Sequence, residues 1–109
     1  MKNISELNQK NYRDFYSMGE LHKTIRNSVK VWSWGAHNWT KMNEKLLRFT
    51  VQAHRHKGHI YIAVNGLDLF DVFLTSNRGN IKKTFTDVYL EDLISTIDNE
   101  IERIPEYTD

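Results

Sequence analysis

From Leu46 to Thr75 the chain reads LLRFTVQAHRHKGHIYIAVNGLDLFDVFLT, and apolar and polar positions alternate through it. Leu47, Phe49, Val51 and Ala53 are interleaved with Arg48, Thr50, Gln52 and His54, the two-residue period of a strand with one buried and one wet face. After Lys57-Gly58 the alternation resumes, with Ile60, Ile62 and Val64 on one side and His59, Tyr61 and Ala63 on the other. With Lys57-Gly58 as a two-residue link, His56 faces His59, Ala53 pairs with Ile62 and Val51 with Val64. A one-residue slip would set apolar against polar positions, so the register is strongly specified. Asn65-Gly66 marks a second turn, and Leu69 to Thr75 reads as a third strand with Phe70, Val72 and Leu74 continuing the first face. Leu69 and Phe73 fall on the other face. A strand apolar on both sides implies a second covering element or a homodimer contact.

Helical spacing brackets this meander. Ile4, Leu7, Phe15, Met18, Leu21, Ile25 and Val29 recur mostly at three- and four-residue intervals, predicting a helix over residues 5 to 29, with a possible restart at the capping-box sequence Ser17-Met18-Gly19-Glu20. Lys30 to Trp34 reads as a short strand, and Gly35 to Asn43 as a polar loop interrupted by Trp39. Ser76 to Gly79 reads as a turn leading into a basic strand, Asn80 to Phe85. From Asp87 to Ile104 the stripe Leu90, Leu93, Ile94, Ile97, Ile101 and Ile104 predicts a helix capped by Asp87 or Thr86 and stopped by Pro105. The fold class is therefore α+β: an N-terminal helix, an antiparallel meander of about four to five strands, and a C-terminal amphipathic helix packed on one sheet face. Both helices are expected to cover the face built by Phe49, Val51, Ile62, Val64 and Val72.

Composition adds limits. The 109 residues suit a single domain spanning 1–109, and an apolar share of 39% with three Trp, five Tyr and five Phe argues against disorder. With no Cys there is no disulfide framework and no thiol nucleophile, which is compatible with a reducing cytoplasm. No apolar run approaches ~18 residues and the polar first twenty residues lack a signal-peptide core, so the expectation is a cytoplasmic protein without a membrane partner.

The net charge of +1 conceals a segregation: residues 87–109 carry −7, leaving +8 for residues 1–86. A basic body attracts phosphate or acidic protein, whereas an acidic helix face repels phosphate or imitates it. The plainer reading of Glu91, Asp92, Asp98 and Glu102 is a solvated helix face opposite the Ile/Leu stripe.

Two clusters carry candidate chemistry. In the register above, His54, His56 and His59 share the wet face of one hairpin end, and three neutral imidazoles can ligate Zn²⁺ while leaving a fourth position for water. The competing reading is a solvated hairpin tip beside Arg55 and Lys57. Second, Trp32, Trp34 and Trp39 lie within eight residues, flanked by Lys30, Lys41 and Lys45. Aromatics interleaved with bases suit single-stranded nucleic acid, which stacks on rings while cations track its phosphates. Trp32 and Trp34 share a strand face and are expected to pack in the core, so Trp39 is the better contact candidate. No nucleophile-base pair, Gly-rich phosphate loop or paired carboxylates are evident, and neither an enzyme nor a cofactor is expected.

Several segments together, Gly35-Ala36-His37-Asn38-Trp39, Leu47-Arg48-Phe49, Ile60 to Val72 (IYIAVNGLDLFDV) and Thr86-Asp87-Val88-Tyr89, resemble a group of small bacteriophage and prophage proteins. That group shares a pattern of GAKNF, LRF, ITLNGMDxYDV and GVYxDxL. The resemblance covers roughly residues 20 to 97 and departs in the long first helix and the acidic tail. It implies a mobile-element context in bacterial cytoplasm and brings no assigned activity.

Three functions are therefore expected candidates. The first is a non-catalytic accessory protein binding nucleic acid or a host nucleoprotein through Trp39, Lys41, Arg55, Lys57, Lys82 and Lys83. The second is an inhibitor of a host defence complex, anti-CRISPR-like, whose helix acids Glu91, Asp92, Asp98 and Glu102 imitate nucleic acid. The third is a metal-dependent enzyme at His54, His56 and His59.

Overall fold

The computed structural model describes residues 3–6, 12–13, 34–43, 46–53, 56–67 and 69–101. Five antiparallel strands form one sheet in the order β2-β3-β4-β5-β6: β2 His37–Asn43, β3 Leu46–Gln52, β4 Lys57–Asn65, β5 Phe70–Thr75 and β6 Ile81–Val88. A helix, α1 (Leu90–Ile101), follows and packs on one face. The α+β architecture with a C-terminal amphipathic helix is thus observed.

The helix-covered face is continuous and dry. Phe49 and Val51 from β3, Ile60 and Ile62 from β4, and Val72 from β5 are fully buried, and α1 adds Leu93, Ile97 and Ile101. Each such side chain contributes about 1.5–3 kcal/mol on leaving water. Trp34 closes the same core. It is fully buried, lies nearly parallel to Phe49 at 6.4 Å, and donates its indole N–H to Asp98 Oδ1 of α1 at 2.9 Å. Core packing of Trp34 was expected on a strand, but Trp34 stands in a turn whose carbonyl accepts the Gln52 N–H at 2.9 Å. Trp32 lies outside the described residues.

The register differs from the expected one by an even offset. Leu47 pairs with Ile62, Phe49 with Ile60 and Val51 with Gly58, and the connection is Ala53 to His56, closed by the Ala53 N–H to the His56 carbonyl at 3.0 Å. Because side chains alternate with period two, the even offset preserves every face assignment while moving every partner. Lys57-Gly58 is therefore part of β4 and not a turn. Gly58 is needed there for another reason: its φ is +156°, and a Cβ would overlap the Thr75 carbonyl oxygen of β5.

Other expectations are corrected. Within the stretch expected to be the first helix, Ile4–Glu6 is a single 3₁₀ turn, and Tyr12–Arg13 is a short strand, β1, pairing with Asn65 and Val64 of β4. Extended backbone there lets the Tyr12 ring meet Phe73 edge-on at 6.2 Å and its hydroxyl reach Asp71. Residues 7–11 and 14–33, which hold most of that expected helix and most of the Lys30–Trp34 strand, lie outside the described residues. The expected polar loop over Gly35–Asn43 is mostly strand β2. It pairs with β3 through register shifts on either side of Thr40-Lys41, and Asn38 adopts φ +55°. Such bulges break the two-residue alternation that announces a strand. Thr86 and Asp87 do not cap the last helix but belong to β6, and α1 begins at Leu90 with the Asp92 N–H bonded to the Tyr89 carbonyl at 3.0 Å.

The second sheet face holds the correction with most functional weight. Expected to be wet, it buries Tyr61, Ala63 and Phe73 with Leu46 and Ile4, and Tyr12 and Ile81 pack against them. Phe73 therefore finds its cover within the chain, and the two-sided apolar character of β5 follows from its place inside the sheet.

Candidate functional site

Register brings two hairpin connections together at one end of the sheet. Gln52 pairs with Lys57, His59 with Thr75 and Thr75 with Ile81, so the β3–β4 connection lies beside the Ser76–Asn80 turn. That turn is tied internally by Ser76, whose N–H bonds the Asn80 carbonyl at 2.9 Å and whose Oγ accepts the N–H groups of Arg78 (3.3 Å) and Asn80 (3.2 Å). Lys57, Arg78, Lys82 and Lys83 are all exposed here. Neighbouring strand residues point to opposite faces, so edge strand β6 presents a lysine on either side. Lys83 Nζ lies 5.6 Å from the centre of the Phe85 ring. Lysines on an edge strand also discourage pairing with another chain.

The histidines do not assemble as expected. His59 pairs with Thr50 in the ladder, its Nδ1 2.9 Å from Thr50 Oγ1, whereas His56 is buried in the connection with Nε2 3.3 Å from the His59 carbonyl. The expected pairing of His56 with His59 is lost because the turn lies before Lys57. Burial lowers the pKa of His56 below the usual imidazole range, aided by Lys82 and opposed by the His59 and Thr75 carbonyls and by Glu100. Burial likewise lowers that of His59, with Arg48 and His37 acting the same way and the Asn77 carbonyl opposing them. Among the described residues no three His, Asp or Glu side chains converge as metal ligands, and His54 lies outside them.

Trp39 is not the exposed loop residue expected. It is half-buried on β2, stacked on Phe49 with centroids 4.3 Å apart and planes 21° from parallel. Such a ring holds the edge strand to the core instead of offering a face to bases. Lys41 sits on β2 opposite Leu47, with its side chain outside the described atoms, as are residues Arg55 and Glu102. Of the acidic set, Glu91 and Asp92 are exposed on the first turn of α1, where the helix dipole favours them, while Asp98 is engaged by Trp34.

At the opposite end of the sheet a polar knot holds two corners. Asn65 Oδ1 accepts the Leu67 and Leu69 N–H groups at 2.9 and 3.3 Å, and its Nδ2 donates to Asp71 Oδ1 at 2.9 Å and Asp87 Oδ1 at 2.6 Å. Asp71 Oδ1 also accepts the Asp87 N–H at 3.1 Å, with Asp87 in the left-handed region at φ +55°. The Tyr12 pKa is raised to about 12 by burial and by its bond to Asp71. These bonds fix the β4–β5 turn to the β6–α1 corner, an architectural role that the NGLDLFDV sequence signals only as a turn. Around this end Leu67, Tyr89 and Leu90 are exposed.

Sequence reading placed Arg48 on the wet face of β3 but singled out neither His37 nor Arg78. No helix among the described residues is long and apolar enough to cross a membrane. No protein-family model, curated protein or solved structure matches the chain.

Proposed function

We propose that this chain is a non-catalytic binding protein, an accessory protein of a mobile element, that engages nucleic acid or a host nucleoprotein through phosphates at the basic end of its sheet. The observation that carries this reading is that exposed Lys57 of β4, Arg78 of the Ser76–Asn80 turn, and Lys82 and Lys83 on either side of β6 lie at one end of the sheet. With Trp39 stacked on Phe49, the contact is electrostatic and backbone-directed, without base readout. The combined substitution Lys57→Glu, Lys82→Glu and Lys83→Glu leaves the core untouched and should lower affinity for DNA or RNA at least ~100-fold, since each lost phosphate contact is worth about 1 kcal/mol or more. Unchanged affinity in a folded variant would refute it.

A second reading, inhibition of a host defence complex by the acidic helix, is supported by exposed Glu91 and Asp92 beside exposed Tyr89 and Leu90. Asp98 serves the fold in either case. Glu91→Lys with Asp92→Lys should abolish inhibition of such a complex, and full inhibition by that variant would rule the reading out.

A further inference from the structure

Arg48 stands in the middle of β3 on the face opposite α1, half-buried, flanked by Tyr61 of β4 and Thr40 of β2 in the register. Its Nε is shielded from solvent and has no hydrogen-bond partner, and among the described residues no carboxylate pairs with the guanidinium. Among the described residues the basic side chains beside it are His37 and His59. His59 on β4 feels both Arg48 and His37, and Thr50 pairs with each of these histidines, so three adjacent strands set Arg48, His37 and His59 on one patch. A guanidinium nitrogen withdrawn from water usually gains an acceptor, and among the described residues none is set against Arg48 Nε.

The other donors are already oriented. His37 Nδ1 donates to the Gly35 carbonyl at 2.7 Å, which fixes the ring, and Nε2 becomes a second donor only in the imidazolium form. His59 is held through Nδ1 by Thr50 and, from the far side, by the Asn77 carbonyl, so it borders the patch without being free to ligate. Lys57 lies on the same face of β4 as His59 and Tyr61, two residues from His59 along the strand, about 6–7 Å at the usual rise.

We propose that Arg48 and His37 form a seat for one phosphate group on the half-exposed part of this sheet face, Arg48 offering its planar fork and His37 a single Nε2 donor in its imidazolium form, with Lys57 at its rim. A guanidinium fork matches two phosphate oxygens at once, which an ammonium cannot do. The phosphate belongs either to a polynucleotide backbone or to free orthophosphate. The seat rests on the nucleic-acid reading only for the first source.

The test uses the full chain with its histidines followed by NMR, titrated in separate arms with orthophosphate and with a short single-stranded oligonucleotide. The groups facing His59 are Arg48, His37, the Tyr61 ring edge-on at 6.3 Å, and the Asn77 carbonyl. An anion beside Arg48 offsets the charge that holds the His59 pKa down, so the His59 and His37 resonances should shift saturably and His59 should titrate at higher pH when the seat is filled. Arg48→Met should lower affinity about tenfold or more and remove the His59 shift, whereas Arg48→Lys should weaken binding while keeping part of it. A response to both titrants, or to either, supports the seat and identifies its source. No saturable response in either arm, or the same response in a folded Arg48→Met protein, overturns it. If orthophosphate moves His59 while longer nucleic acid fails to bind, the seat stands and the nucleic-acid function fails. If nucleic acid binds undisturbed in Arg48→Met, the reverse holds.

Discussion

The two faces of the sheet are made from the same strands, residue by alternate residue, yet they are finished differently. Under α1, Phe49, Val51, Ile60, Ile62, Val72, Leu93, Ile97 and Ile101 form one apolar layer, and its buried polar tip, the Trp34 indole N–H, is answered by Asp98. On the other face Tyr61, Ala63 and Phe73 are covered by Ile4, Leu46 and Tyr12, whereas Arg48, Thr50 and His59 remain half-exposed with no acid against them among the described residues. The first face satisfies itself and so serves stability. The second is satisfied over part of its extent, and its less covered part lies toward the exposed lysines of the hairpin end, where the proposed recognition would take place.

The contrast can be broken by substitution. The largest effect should come from Trp34→Ala, which empties a closed layer and leaves Asp98 without its donor, costing about 3–5 kcal/mol in urea or guanidinium unfolding. Gly58→Ala should follow at about 1–3 kcal/mol, because the new methyl group meets backbone of β5 and a positive φ disfavours it. Thr50→Ala, on the half-exposed face, removes only the bond to His59 and should cost about 0.5–1.5 kcal/mol. A Thr50 effect as large as that of Trp34 would erase the distinction between the faces.

Titration sharpens the same comparison. His56 and His59 have folded-state pKa values below that of the unfolded chain. Below about pH 6.5 the unfolded chain therefore binds protons that the fold resists, and stability falls as pH drops through the window between the unfolded and the lowered folded values. Unfolding midpoints measured from pH 8 to 5 should decline below ~6.5, and replacing both histidines by Gln should flatten that decline.

The sequence displayed the meander well because β3 and β4 keep the two-residue alternation and β5 continues one of their faces, and an even error in register leaves faces unchanged. It displayed α1 through the Leu93, Ile97 and Ile101 spacing. It hid β2, where bulges around Thr40-Lys41 disrupt the period and the one large ring, Trp39, looks like a loop contact until Phe49 is seen beneath it. The Gly58 error is instructive in the same way: a glycine after a lysine reads as a turn, yet its small size answers a neighbouring strand distant in sequence. The candidate site was half legible. Lys57, Lys82 and Lys83 were visible as basic residues, but their meeting with Arg78 depends on strand order, and the orphaned Nε of Arg48 depends on which side chains the fold sets around it.

The most direct test of the account is the salt dependence of nucleic-acid affinity in the unmodified protein. With about four phosphate contacts from Lys57, Arg78, Lys82 and Lys83, the logarithm of affinity should fall with the logarithm of salt at a slope of about −3, a loss of about 60-fold from ~50 to ~200 mM. A slope near zero, or no binding at the lowest salt, would contradict it.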